Sequence, residues 1–368
     1  MLFVIIILTV LSLTNWYIYR RFFRQLTPRM HRPGAWLMGT IMAGELLFIA
    51  DRITGLIPDS LIFFQIMSSF IGATFMLFVV ALIYDLVITT SKRVPFDQER
   101  RRTLKVVFDI AMLIGAASYL WHGFRQGTKP PQVKDVVVNI KDFPTNGYTI
   151  VQLTDVHVGR TIKRDFVVEL VQRTNAMQPD LVVITGDLVD MHPQRIAADL
   201  EPLKTLQAPT YFVPGNHEYF HGVEVILAHL KGLNITPLTN QNVLLKEGFY
   251  LVGLNDLFGR RFGKHPPDVK EAYQGVDAQR PVIVLAHQPK LIEECEAQRC
   301  DLMLSGHTHG GQIFPFGALV KLAQPYLAGL YTHKPGQQIY VSRGTGYWGP
   351  PLRVLAPSEI TRLVITRA

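Results

Sequence analysis

Residues 2–19, LFVIIILTVLSLTNWYIY, carry no charge, and a helix of that length crosses the ~30 Å hydrocarbon layer of a bilayer. Similar apolar stretches follow at roughly 35–57, 60–90 and 104–121, with Trp16, Tyr17, Trp36, Tyr84, Tyr119 and Trp121 near their ends, as interfacial anchors require. The first stretch runs into Arg20 and Arg21 with neither a basic leader nor a small-residue cleavage site, so it reads as a span and not as a cleaved signal. Residues 122–135, HGFRQGTKPPQVKD, have the Gly, Pro and charge content of a linker. Beyond them strand-length apolar runs (VVVNI, YTIVQL, LVVIT, YFV, YLVG, VIVL, LMLS, IYV and EITRLVIT) alternate with amphipathic segments such as DFVVELVQRTN and VEVILAHLKGL. That alternation predicts a layered α/β domain with buried strands. The chain therefore divides into a four-span transmembrane region (1–121), a linker (122–135) and an α/β domain (136–368).

Charge sharpens this division. The formal net charge of +8 splits at residue 135 into +7 before it and +1 after it. A nucleic-acid binder would gather its basic excess on the folded domain, so no nucleic-acid partner is expected. The basic residues instead crowd two short loops: Arg20, Arg21, Arg24, Arg29 and Arg32, then Lys92, Arg93, Arg100, Arg101, Arg102 and Lys105. The loop between spans two and three offers Arg52 against Asp51 and Asp59. Because Lys and Arg loops stay in the cytoplasm, the count places the α/β domain on the extracytoplasmic side of the membrane. Glu45, deep in span two, reads as a carboxyl hydrogen-bonded between helices. Cys295 and Cys300 are too few for a disulfide scaffold and are expected as free thiols on a helix, EECEAQRC.

The chemistry lies where strands end. Asp155 and His157 follow VQLT; Asp187 and Asp190 follow VVIT; Asn216, His217 and Glu218 follow YFVP; His287 follows VIVLA; His307 and His309 follow LMLS. Ligand sites in α/β sheets sit at the carboxyl ends of strands, so five strands would deliver these groups to one rim. Oxygen and imidazole donors without thiolate suit Mn, Fe or Zn, and seven ligands exceed the needs of one tetrahedral ion. Two divalent ions sharing Asp187 is the natural count. Spacing alone leaves Asn216 and His217 interchangeable.

Taken in order, DVH, GDLVD, GNHE, an isolated histidine and GHTH resemble the signature of the calcineurin-like metallophosphoesterases over about residues 133–366. GHTHGGQ, with SRGTGYWGPPLR and PSEI further on, resembles the bacterial membrane-anchored branch of that family. The resemblance implies two central β-sheets flanked by helices, and one ion on Asp155, His157, Asp187 and His309. The other ion falls to Asp187, Asn216, His287 and His307. It makes His217 the residue that protonates the leaving oxygen or stabilises the transition state, with Asp190 orienting it. A hydroxide bridging the ions would attack phosphorus. The implied activity is hydrolysis of phosphate esters or pyrophosphates. Tethering directs it to a phosphorylated lipid or an envelope-linked phosphate among membrane lipids.

Two other readings follow. A cytoplasm-facing domain would meet nucleotide-activated acylated sugars, an activity found in the same branch. A sensor or transport accessory with a structural metal site is opposed by the intact ligand set and by spans holding little polarity besides Glu45. Arg160 and Arg343 are placed to contact a substrate phosphate, with a solvated role as the alternative for Arg160. His221, near the third motif, is the remaining histidine with a plausible place at the site.

Overall fold

A computed structural model describes residues 2–54, 60–91 and 98–367. Two compact units divide the chain: Met1–Thr128 with Gly349–Val354, and Lys129–Trp348 with Leu355–Ala368.

The first unit is built on four long helices, α1 (Leu2–Arg21), α2 (His31–Thr54), α3 (Leu61–Ser91) and α4 (Gln98–Gly127). Among the described residues three helical stretches, Pro28–Asp51, Leu61–Ser91 and Gln98–Gly127, are long and apolar enough to cross a membrane. Their polarity runs inside out. Leu13, Ile62, Val107 and Ile114 face outward, while Glu45 is buried and accepts hydrogen bonds from Asn15 Nδ2, at 2.7 Å, and from Thr74 Oγ1. The expected interhelical carboxyl is therefore present. Asp85 likewise pairs with Arg21 and Tyr17, and Asp109 with Lys105 and Tyr84. Of the loop charges, Lys92, Arg93, Asp59 and the side chains of Arg52 and Arg101 lie outside the described residues. Gly349–Val354 closes the unit: Arg353 N–H donates to Gly123 O at 2.9 Å, and a Cβ on Gly72 would lie 2.3 Å from Leu352 Cδ1.

The expected linker is shorter than its composition implies. Helix α4 continues to Gly127 and the first strand starts at Gln132, leaving residues 128–131 between them. The Gly and charged residues of 122–127 are helical because hydrogen bonding carries on past the apolar stretch, and Pro130 and Pro131 then stop it.

The second unit holds twelve strands in two mixed sheets. The first sheet contains β1 (Gln132–Ile140), β2 (Tyr148–Leu153), β3 (Leu181–Thr185), β4 (Thr210–Val213), β5 (Ile235–Pro237) and β12 (Glu359–Arg367), in the order β1-β12-β2-β3-β4-β5. The second contains β6 (Gln241–Leu244), β7 (Tyr250–Gly253), β8 (Val282–Leu285), β9 (Leu302–Ser305), β10 (Gly329–Lys334) and β11 (Gln337–Val341), in the order β10-β11-β9-β8-β7-β6. Period-two alternation sorts each strand's side chains between two cores. Leu181 and Val183 of β3 meet Ile283, Leu285, Leu302 and Leu304 of the facing sheet, whereas Val182 and Ile184 point to the outer helical layer. That layer is α5 (Arg164–Ala176), α6 (Pro193–Leu200) and α8 (Val223–Gly232); the short α7 (Asn216–His221) precedes α8, and α9 (Phe258–Phe262) follows β7. On the far side Val282, Val284 and Met303 pack with Leu291, Ile292, Cys295 and Cys300. Continuous apolar runs such as LVVIT are thus buried on both faces, which is why they lack polar alternation.

Cys295 and Cys300 are both buried free thiols. The helix expected to carry them ends at Cys295 as a 3₁₀ segment, Pro289–Cys295, and Cys300 stands in the turn before β9.

Candidate metal centre

Five parallel strands, β2, β3 and β4 of one sheet and β8 and β9 of the other, end at the same place. Each hands the chain to a loop that carries one or more of the polar motif residues within its first few positions. Asp155, His157, Asp187, His307 and His309 all have φ between 50° and 69°, the left-handed region that a non-glycine residue seldom occupies. Such strain persists only where the surroundings over-determine it, and it clusters at functional sites. Close approach adds a second constraint. A Cβ on Gly306 would lie 2.1 Å from Thr154 Oγ1 and 2.2 Å from Asp155 Oδ2, so only glycine fits between β9 and the first motif.

The side chains form two groups, linked through His157 and Asp187, which also come within reach of one another beside His217. Asp155, His157 and His309 bring ligand atoms within 4.8 Å of one another, as do Asp187, His287 and His307. In the first group His309 Nε2 lies 3.2 Å from Asp155 Oδ1 and 3.1 Å from His157 Nε2. In the second, His287 Nε2 lies 3.2 Å from Asp187 Oδ2 and 3.2 Å from Asn216 Oδ1. His287 Nδ1 meets Thr185 O at 2.8 Å, which fixes Nδ1 as the protonated nitrogen and leaves Nε2 free to bind. All seven residues sit together, buried or nearly so.

His217 and Asp190 form a third group beside them. One oxygen, Asp190 Oδ1, lies 2.6 Å from His217 Nδ1 and 2.7 Å from His157 Nδ1, so a single carboxylate holds two rings. The ring of His217 stands 4.7 Å from that of His157, and its Nε2 is 3.9 Å from Asp187 Oδ2. His221 joins Asp190 and His217 within the same 4.8 Å limit.

Charge in this cluster is strongly coupled. Burial alone would raise the Asp187 carboxyl, but His287 and His217 hold it well below the ordinary carboxylate range. Burial opposes ionisation of Asp155 too, and His309 overcomes it. For Asp190 the opposing partners are His157 and His217, which lower it. Burial would depress His217, yet Asp187 and Asp190 push it up to about 9. Burial and the neighbouring His287 drive His307 down to about 3. Converging imidazole nitrogens 3.1 Å apart, flanked by buried carboxylates, suit divalent cations.

The structure gives parts to two further carboxyls, Glu218, which the third motif contains, and Asp256, which no motif contains. Glu218 accepts backbone N–H groups from Asp187 (2.9 Å), Leu188 (2.9 Å), Val189 (3.2 Å) and Gly215 (2.7 Å). Burial and Asp187 raise its carboxyl to about 7. Asp256, after β7, is buried against the Gln288 amide and is raised to about 6 by burial. The GNHE motif contained Glu218, but nothing in its spacing told a loop anchor from a surface charge. Arg343 is turned to Glu359, 3.6 Å away.

A family model for the calcineurin-like phosphoesterases matches residues 148–311. A Helicobacter pylori metallophosphoesterase is 40% identical over 99% of this chain and 98% of its own, and one from Campylobacter jejuni is 34% identical over 99% and 98%. A Danio rerio transmembrane protein with a metallophosphoesterase domain is 36% identical over 70% of this chain and 63% of its own. Among solved structures, a dimetal phosphatase from Danio rerio covers 55% of this chain and 88% of its own at 16% identity, with a TM-score of 0.37. The motif order, the two-sheet fold and full-length identity to the bacterial proteins lead to one conclusion: this chain belongs to the calcineurin-like metallophosphoesterase family.

Proposed function

We propose that the protein is a membrane-tethered hydrolase of phosphate esters or pyrophosphates that works through two divalent metal ions. The observation that carries this reading is the convergence of two Asp/His groups from four strand ends, with Asp187 of one within reach of His157 of the other. Asp155, His157, Asp187 and His309 would hold one ion; Asp187, Asn216, His287 and His307 would hold the other. When bound, such a pair activates water near neutral pH and clamps the attacking and leaving oxygens at phosphorus.

The chain's own groups supply the rest. Asp190 fixes the His217 ring through Nδ1, so that Nε2 is the atom presented to a substrate. There it donates to a phosphoryl oxygen or passes its proton to the leaving oxygen. Different roles for Asn216 and His217 are supported by their neighbours: Asn216 Oδ1 faces His287 Nε2, whereas His217 faces Asp190. Tethering by four spans favours a phosphate carried by a membrane lipid or an envelope polymer, in a bacterial inner membrane with the domain outside the cytoplasm.

Hydrolysis of bis(p-nitrophenyl) phosphate by the full-length protein tests this. With Mn²⁺ a metal-dependent rate is expected, abolished by chelation and restored by metal. Asp187→Asn and His217→Ala should each lower kcat by roughly 10²-fold or more. His217→Ala should still bind two ions per chain, while Asp187→Asn should not. A protein that binds two ions and turns nothing over would favour the sensor reading.

A further inference from the structure

Two exposed aromatic walls flank His217. On one side Phe220 packs edge-on against the His217 ring at 5.5 Å and is 50% exposed. It is continued by Phe258 at 5.3 Å and Phe262 at 5.7 Å, the latter 44% exposed. On the other side Trp348 stands edge-on at 6.0 Å from the same ring and is 51% exposed. Trp348 is not loosely placed. Its N–H donates to Gln312 Oε1 at 3.0 Å and its carbonyl accepts from Gln312 Nε2 at 2.9 Å, tying it to the loop that follows His309. Further along that loop Phe314 and Phe316 are exposed as well.

Aromatic surface held open to solvent beside a reactive histidine is costly unless something apolar covers it. A polar polymer would gain little from it, whereas a hydrocarbon chain gains with each ring it covers. Phe220 joins the His217 ring to Phe258 and Phe262, so a group that covers these rings while its phosphate meets His217 is attached to that phosphate. Arg261, with its guanidinium 5.7 Å from the Phe258 ring, adds a cation at the edge of the apolar wall. Aromatic rings edged by arginine are the pairing found at the level of lipid headgroups.

We infer that Phe220, Phe258, Phe262 and Trp348 form a track for the hydrocarbon chain of an amphiphilic phosphate ester, which makes the substrate a lipid. This rests on the phosphoesterase reading above.

The test uses the full chain in lipid nanodiscs with Mn²⁺, and two diesters sharing one leaving group, methyl and octyl p-nitrophenyl phosphate. In both, the oxygen of water bonds to phosphorus and the P–O(aryl) bond breaks. Its electron pair leaves on p-nitrophenolate, the alkyl phosphate remains, and the protons pass to solvent. Burial of a methylene is worth roughly fourfold in binding, so even partial contact should raise kcat/KM for the octyl ester at least about tenfold. Partition into the nanodisc favours the octyl ester equally in every variant, so the octyl-to-methyl ratio is compared between proteins. Phe262→Ser and Phe220→Ser should each reduce that ratio about fivefold or more. Octyl phosphate should also inhibit the wild type at least about tenfold more strongly than methyl phosphate, a readout that needs no variant. Unchanged ratios in both variants, or equal inhibition by the two phosphates, overturn the track while leaving the hydrolase standing. Turnover of neither ester overturns both.

Discussion

Glu218 shows how far a single side chain can reach. Its two oxygens take four backbone N–H groups from the turns after β3 and β4, the turns that present Asp187 and Asn216. Removing the carboxylate leaves those donors buried without acceptors. Glu218→Ala should cost about 3 kcal/mol or more, lowering Tm by roughly 6–12 °C, and should weaken metal binding; thermal unfolding with and without Mn²⁺ checks both. Glu218→Gln keeps the shape and one acceptor oxygen and should recover part of the loss. Cys295 offers a second residue-level expectation. Burial pushes its thiol up to about 12 and that of Cys300 well above the ordinary value, so neither should react with a maleimide at pH 8 until the protein is unfolded. The nine site residues marked in the sequence all stand in the cluster; any one of them could have been a cap or turn residue, but the set in motif order after five strands marked one rim. Glu218 and Asp256 were not legible as site residues, since their work is to satisfy neighbours brought close only by the fold.

At the scale of elements, the turns after the strands matter more than the strands. Gly306→Ala would drive a methyl group into Thr154 Oγ1 and Asp155 Oδ2, so the loop of His307 and His309 must move. The variant should keep its far-ultraviolet circular dichroism but bind fewer than two ions per chain; two tightly held ions would contradict the close approach. The central strands were legible as apolar runs because both of their faces are buried. The strands that escaped notice, β5, β6 and β10, include three of the four sheet edges. An edge strand such as β10, with burial alternating between partial and exposed, has no apolar run to display. The end of α4 was misplaced for a related reason: a helix leaving an apolar setting keeps its hydrogen bonds while its composition turns polar.

For the whole molecule, sidedness decides which substrates the site can meet. A reporter fused after residue 130 follows α4 without depending on the α/β domain. Active alkaline phosphatase with a dark green fluorescent protein fusion is expected, and places the site where envelope lipids are found. The reverse pattern would overturn the orientation and turn attention to nucleotide-activated acylated sugars. Sheet order carries a consequence of another kind. β12, the last strand in chain order, lies between β1 and β2, the first two, with Val136 beside Leu363 and Leu363 beside Ile150. The opening strands of the domain therefore share no hydrogen bonds until residues 359–367 arrive to join them. During synthesis or passage across a membrane, this sheet must wait open, its edges unpaired, until the chain has been delivered through β12. The turns after β2, β3 and β4 sit on strands already paired with one another, so what waits for residues 359–367 is the joining of β1 to that framework.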